Sequence, residues 1–286
     1  MVEHLRIATD AGTFDALADG PTDGRPVLLL HGFPEAAVQW EFQLGALGGA
    51  DCRAVAPDQR GYSPGVRPAA VAEYGLGQLV DDVFRIADSF GWRRFDLVGH
   101  DWGAVVAWAA AADRPERVRS LTAVSVPHPT AFAHAIRTDE DQMTRSAYVQ
   151  VFRQAGSAER RLLAEDGAAL RRLYDWKVPR ERIEEYVARL TEPGALTAAL
   201  NWYRATSLST MHIEPVTVPT LYVWGTEDVA VGSAAAFAAE KFVTGRYRFE
   251  MLADVSHWVT DEAGGTLTAL LMRHLLDNPE TDDDGR

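Results

Sequence analysis

One stretch constrains this chain more than any other: a strand that enters a glycine-framed turn and leaves it as a helix. Arg94 to Val98 reads as a buried strand, Gly99-His100-Asp101-Trp102-Gly103 as the turn, and Trp102 to Asp113 as a small-residue helix stopped before Pro115. Side chains at 99 and 103 would collide with the strand and helix that the turn joins. Such a turn lifts the residue at its centre, Asp101, clear of both elements. Strand, tight turn and helix in that order predict a parallel sheet covered by helices.

The rest of the chain repeats the alternation. Leu5–Asp10 and Thr13–Asp19 read as a hairpin closed at Ala11-Gly12. Pro26–Gly32, Cys52–Asp58, Val118–Pro127 and Leu221–Trp224 are apolar runs, as expected of strands buried on both faces. Between 75 and 91, Leu76, Leu79, Val80, Val83, Phe84, Ala87 and Phe90 fall on one helical face. Asp81, Asp82, Arg85 and Asp88 fall on the other, and Gly91 stands where a helix C-cap is expected. Residues 130–214 are rich in Ala, Arg, Glu and Leu and hold no strand pattern. A structureless loop of that length is not expected in a compact domain, so a helical insertion is. The expected fold is a mostly parallel, doubly wound α/β sheet. Residues 1–129 and 215–286 form its core domain and 130–214 a helical cap.

The turn around Asp101 has the form of the nucleophile elbow G-x-S-x-G, with aspartate in the serine position. An aspartate opening a helix is by itself an ordinary N-cap. Two later elements favour a chemical role. Asp228 lies just past the strand Leu221–Trp224, and His257 follows the strand Tyr247–Asp254. Nucleophile, acid and histidine then occur in the order that this elbow uses. Glu227, beside Asp228, is the alternative acid. The acid holds the imidazole so that its other nitrogen can take a proton from water. His31-Gly32-Phe33-Pro34 closes an earlier strand, so the backbone N–H groups of Phe33 and Trp102 are candidate oxyanion donors. A carboxylate nucleophile suits displacement at a saturated carbon, and leaves an ester that water must cleave.

Charge and cysteine content exclude other classes. Lys and Arg number 28 against 41 Asp and Glu, a net charge of −13. Such a surface argues against nucleic acid and anionic membranes. Cys52 has no second cysteine to pair with, and no Cys/His cluster suggests a metal site. No metal or organic cofactor is expected. The N-terminus lacks signal-peptide character and no apolar run is of spanning length, so a soluble, cytoplasmic protein is expected, monomer or homodimer. The acidic end from Asp277 to Arg286 reads as a frayed tail.

At this level of detail the chain resembles the soluble epoxide hydrolases of the α/β-hydrolase superfamily. The matching segments are HGFPE, DQRGYSPG, LVGHDWGA, RPERVRSL, NWYR, the GTED aspartate and SHW, from about residue 26 to residue 258. The resemblance implies an α/β-hydrolase fold with an inserted cap. It also implies a small apolar epoxide as substrate, converted to a vicinal diol through an ester of Asp101. It assigns Tyr203, in LNWYR, as one of two cap tyrosines that hydrogen-bond the epoxide oxygen. Tyr148 is the other, in a Y-x-x-x-F-x-x-x-G-x-A-E pattern in which Ala155 replaces the proline common before the glycine. Haloalkane and haloacid dehalogenases share the scaffold and are the alternative. They often carry asparagine where Phe33 stands, or arginines where Trp102 and Val105 stand. A ligand-binding protein that kept the fold without turnover is a further alternative. Arg60 and Tyr62 read as loop braces and His128 as a hinge at the cap boundary. Trp102, Trp176 and Trp202 are candidate apolar walls.

Overall fold

The computed structural model describes residues 1–174 and 176–280, so the end of the acidic tail, 281–286, lies outside the described residues. Eight strands form one sheet: β1 (Glu3–Thr9), β2 (Gly12–Asp19), β3 (Arg25–Leu30), β4 (Cys52–Pro57), β5 (Phe95–His100), β6 (Val118–Val124), β7 (Thr220–Gly225) and β8 (Tyr247–Leu252). Their order across the sheet is β1-β2-β4-β3-β5-β6-β7-β8. β1 and β2 pair antiparallel, as do β2 and β4, and every later pairing is parallel. The hairpin turns at Asp10-Ala11, one residue before the expected place, because Gly12 already pairs with Thr9 as a strand residue.

The parallel strands β4, β5, β6 and β7 are buried along their whole length, which is why they read as unbroken apolar runs. Helices α1 (Glu41–Gly48), α2 (Leu76–Ser89) and α3 (Trp102–Asp113) connect them in the first half of the chain. α3 is buried from Trp102 to Ala111, and only a helix of small apolar residues fits a site closed on nearly every side. Gly91 takes φ +72° just past the end of α2. One residue departs from the expected polar face of α2. Asp82 is buried, because the loop after β4 folds over the helix and Arg60 grips its carboxylate at 2.6 and 2.8 Å.

Between β6 and β7 the described residues form six α-helices: α4 (Pro129–Thr138), α5 (Glu140–Arg145), α6 (Tyr148–Phe152), α7 (Ser157–Arg172), α8 (Arg180–Leu190) and α9 (Ala195–Ala205). α7 is interrupted at 164–167, where the backbone leaves helical angles. His128 caps α4 by accepting the Thr130 N–H at 3.3 Å, and its Nε2 donates to the Glu214 carbonyl at 3.2 Å. It thereby ties together the two ends of this helical segment, and burial pushes its pKa down to about 4. The last helices are α10 (Ser233–Ala238), α11 (Val259–Glu262) and α12 (Gly264–Asp277). Among the described residues no helix is long and apolar enough to cross a membrane.

The topology places the site. The chain begins its parallel sheet at β3, moves outward to β4, then returns to add β5 on the other side of β3. The crevice beyond the C-terminal ends of β3 and β5 is therefore a topological switch point, where open α/β sheets bind ligands. Phe33 follows β3 there, and Asp101 follows β5.

Candidate active site

Asp101 stands in that crevice with φ 51° and ψ −119°, a conformation that costs an L-residue about 1–3 kcal/mol. The turn is held by close backbone approach. A Cβ at position 103 would lie 2.1 Å from the Leu30 carbonyl oxygen, and one at position 32 would lie 2.4 Å from Cβ of Asp101. The Asp101 side chain makes no capping bond to α3. Its Oδ1 accepts the backbone N–H of Phe33 at 2.8 Å instead. The Trp102 N–H, the other expected donor, opens α3 beside the carboxylate without a bond to it among the described hydrogen bonds.

Nε2 of His257 lies 3.4 Å from Oδ2 of Asp101, and Nδ1 of the same ring lies 2.8 Å from Oδ2 of Asp228. The second oxygen of Asp228 accepts the N–H groups of Ala230 and Val231 at 2.8 and 2.9 Å. Glu227 is exposed and turned away, so the two neighbouring acids are told apart by the turn after β7. Burial alone would depress the His257 pKa. The carboxylates of Asp228 and Asp101 outweigh it and raise the pKa well above the ordinary imidazole value. Burial likewise works to raise the Asp101 pKa, and His257, His100 and the Phe33 N–H together lower it below the usual carboxylate value.

Tyr148 opens α6 and Tyr203 lies in α9, with ring centroids 6.3 Å apart. Tyr203 is clamped edge-on by Trp102, Phe152 and Phe33 at 5.1, 5.2 and 5.5 Å. Burial pushes both phenols up, and the nearby Asp101 carboxylate adds to the effect. Both tyrosines, Asp101 and His257 line one cavity of about 190 Å³. Phe33, Phe152, Leu173 and Trp258 supply apolar wall. Trp102 and Trp202 are buried behind that wall, and Trp176 is 85% exposed, so none of the three lines the cavity. An open groove of about 560 Å³ beside Gln39, Arg182 and Asp261 shares no residue with it.

Sequence reasoning gave no role to Glu35 or His100. Both are fully buried, and Glu35 Oε2 meets His100 Nδ1 at 2.7 Å. His100 Nε2 donates to the His257 carbonyl at 2.9 Å, and Ser125 Oγ donates to the same oxygen at 2.8 Å. Burial works to lower the His100 pKa, but Glu35 raises it, so this ring carries a proton at both nitrogens more readily than a free histidine. The only signal in the sequence was a polar residue inside each of two apolar motifs, HGFPE and LVGHD. Arg60 and Tyr62 do not line the cavity. Cys52 is buried in β4 with its thiol pushed up to about 11 by burial. Among the described residues no three His, Cys, Asp or Glu side chains gather as a metal site requires.

A family model described as alpha/beta hydrolase fold matches residues 25–263. The chain belongs to the α/β-hydrolase superfamily, on its epoxide-hydrolase branch. It is 31% identical to Epoxide hydrolase 4 of Mus musculus, over 98% of this chain and 80% of that protein. It is 30% identical to Epoxide hydrolase A of Mycobacterium tuberculosis, over 88% of this chain and 91% of that protein. The crystal structure of Epoxide Hydrolase A from Mycobacterium thermoresistibile superposes with a TM-score of 0.87 at 26% identity, covering 98% of this chain and all of that one. The doubly wound sheet expected from the strand and helix pattern is therefore that of the α/β-hydrolase fold, which the resemblance implied.

Proposed function

We propose that this protein hydrolyses an epoxide to a vicinal diol through a covalent ester of Asp101. One observation carries the reading: a hydrogen-bonded carboxylate and two phenols face the same small, apolar cavity. The kinship with proteins named epoxide hydrolases supports it. No metal or cofactor enters the scheme, and residues 130–214 act as the cap that brings Tyr148 and Tyr203 over the core.

In the first step Asp101 forms a bond to an epoxide carbon while that carbon's bond to the ring oxygen breaks. Tyr148 and Tyr203 hydrogen-bond the leaving oxygen, and one of them gives it a proton. Their raised pKa values keep both phenols neutral donors near neutral pH. An alkoxide is a far stronger base than a phenolate, so the transfer is favourable.

In the second step His257 takes a proton from water, and the resulting hydroxide attacks Cγ of the ester. The oxyanion forms on the oxygen already held by Phe33 N–H, and Trp102 N–H is the proposed second donor. Collapse breaks the bond between Cγ and the ester oxygen that Asp101 supplied in the first step. That oxygen leaves with the diol and takes the proton of the newly added hydroxyl, so Asp101 is restored as a carboxylate carrying one oxygen from water. The proton held by His257 returns to the tyrosinate.

The first step switches on the base for the second. The Asp101 charge contributes to the raised His257 pKa, and esterification removes that charge. His257 then loses its proton more easily and can accept one from water. The test is a single turnover in water enriched in heavy oxygen. The expected first diol carries ordinary oxygen from Asp101. A first diol that already carries solvent label overturns the ester route. Halide release from small haloalkanes without any diol from epoxides would support a dehalogenase in its place.

A further inference from the structure

A cap residue grips the loop that carries Asp228. That loop, 228–232, follows β7, and inside it Ala230 and Val231 donate to Asp228 Oδ1. Three of its other backbone groups, the Asp228 and Ala230 carbonyls and the Gly232 N–H, bond to side chains of α5. Gln142 is fully buried, and its side-chain N–H donates to the Ala230 carbonyl at 2.8 Å while its carbonyl accepts the Gly232 N–H at 2.8 Å. A primary amide has one donor end and one acceptor end, so it reads two nearby backbone groups as a neighbouring strand would. Gln142 is itself fixed. Its backbone N–H is capped by Asp139 at 2.8 Å, and its side-chain nitrogen also reaches Ser146 Oγ at 3.0 Å. One helical turn on, Arg145 donates to the Asp228 carbonyl at 2.5 Å and pairs with Asp141 at 2.7 Å.

The consequence lies in how these bonds join. The Ala230–Val231 peptide unit donates to Asp228 Oδ1 through its N–H, on Val231, and its carbonyl end, on Ala230, is the one Gln142 holds. Oδ1 is thereby anchored, and Oδ2 is left pointing at His257 Nδ1. We propose that Gln142, assisted by Arg145, is a positioning residue: from the cap it sets the acid loop so that Asp228 presents one oxygen to His257. This rests on the proposed role of Asp228 and His257 in cleaving the Asp101 ester. It makes the cap a participant in the second step as well as the first, because α5 leads directly into the helix that begins with Tyr148.

The two half-reactions separate this role from simple packing. His257 and Asp228 act on ester cleavage, whereas Asp101 and the tyrosines act on ester formation. In Gln142→Leu, ester formation on an epoxide such as styrene oxide is expected to change little. Ester decay is expected to slow about tenfold or more, below the ~10⁴-fold cost of disabling an orienting carboxylate outright. The rising limb of decay against pH should move to lower pH, because a less well-placed Asp228 raises the His257 pKa less. Gly232→Ala tests the same contact from the core side with Gln142 intact. Its Cβ would lie 2.7 Å from Asp141 Oδ2 and 3.5 Å from Gln142 Oε1, pushing the loop off α5. It is expected to act in the same direction, and it decides the matter if Gln142→Leu does not fold. Decay that is unchanged, or both steps slowed alike with the pH limb unmoved, overturns the positioning role. Absence of any ester in the unsubstituted protein overturns the Asp101 route itself, a result distinct from either.

Discussion

The imidazole of His257 stands 3.4 Å from the carboxylate of Asp101, the group on which it is proposed to act one step later. In the proposed scheme the two are an ion pair before substrate arrives and base and ester afterwards. Alkylation of Asp101 would then remove the charge that helps to raise the His257 pKa in the resting protein.

The first prediction concerns the base. In His257→Gln, Asp101 keeps its Phe33 hydrogen bond and ester formation should proceed, while cleavage should slow about 10⁴-fold or more. Intact-mass measurement after adding an epoxide should show a stable adduct, and peptide mapping should place it on Asp101. Continued turnover with no adduct would remove His257 from the scheme.

The second concerns pH. The His257 pKa is raised while Asp101 is anionic, so the resting ring should hold its proton above the ordinary value of about 6.5. Decay of the ester needs the neutral ring and should speed up as pH rises, with a midpoint below that of the resting ring. Stability follows the same linkage. The raised His257 pKa adds stability that is full below its unfolded pKa and is lost as pH rises through the folded one. The lowered Asp101 pKa adds stability present above its unfolded value of about 3.8 and lost as pH falls through the folded one. NMR titration of the ring in the unsubstituted protein and in Asp101→Asn should show the lower pKa in the variant. An unchanged titration would sink the coupling.

The third concerns the phenols. Tyr148→Phe and Tyr203→Phe each remove one donor from the cavity without changing its shape. Each should slow ester formation by about 10²–10³-fold, the cost of losing one preorganised donor. Ester decay should be much less affected. Stopped-flow tryptophan fluorescence can follow both phases, with Trp258 in the cavity wall as reporter. Equal slowing of decay would place the tyrosines elsewhere in the reaction.

The fourth concerns stability away from the chemistry. Asp82 and Arg60 are both buried and doubly hydrogen-bonded, and the Arg60 carbonyl accepts the Trp202 indole N–H at 2.9 Å. Asp82→Ala leaves the guanidinium buried without that partner and should cost about 3–5 kcal/mol. Urea unfolding measures the loss directly. A change within about 0.5 kcal/mol, typical of surface sites, would mean that the pair is not buried in solution.

The sequence by itself determined the sheet, the helical segment and the order of the groups that meet in the crevice. These rest on local causes. An unbroken apolar run must be buried, a glycine on each side of Asp101 permits one tight turn, and strand ends in a parallel sheet converge on one edge. Asp101, Asp228 and His257 could be placed because each follows a strand. What only the tertiary structure decided is which polar groups meet across long separations. Glu35 and His100 are 65 residues apart, and Gln142 and Ala230 are 88 apart. Glu227 and Asp228 are neighbours of the same charge, separated only by the way one turn points. Asp82 shared a helix face with solvated acids until a loop folded over it. The cavity wall includes Phe33, Phe152, Leu173 and Trp258, and not the candidate tryptophans Trp102, Trp176 and Trp202. Periodicity reports what a residue's own element buries. It carries no information on which side chain arrives from another element to satisfy a buried donor or charge, and that arrival is what distinguishes a site from a fold.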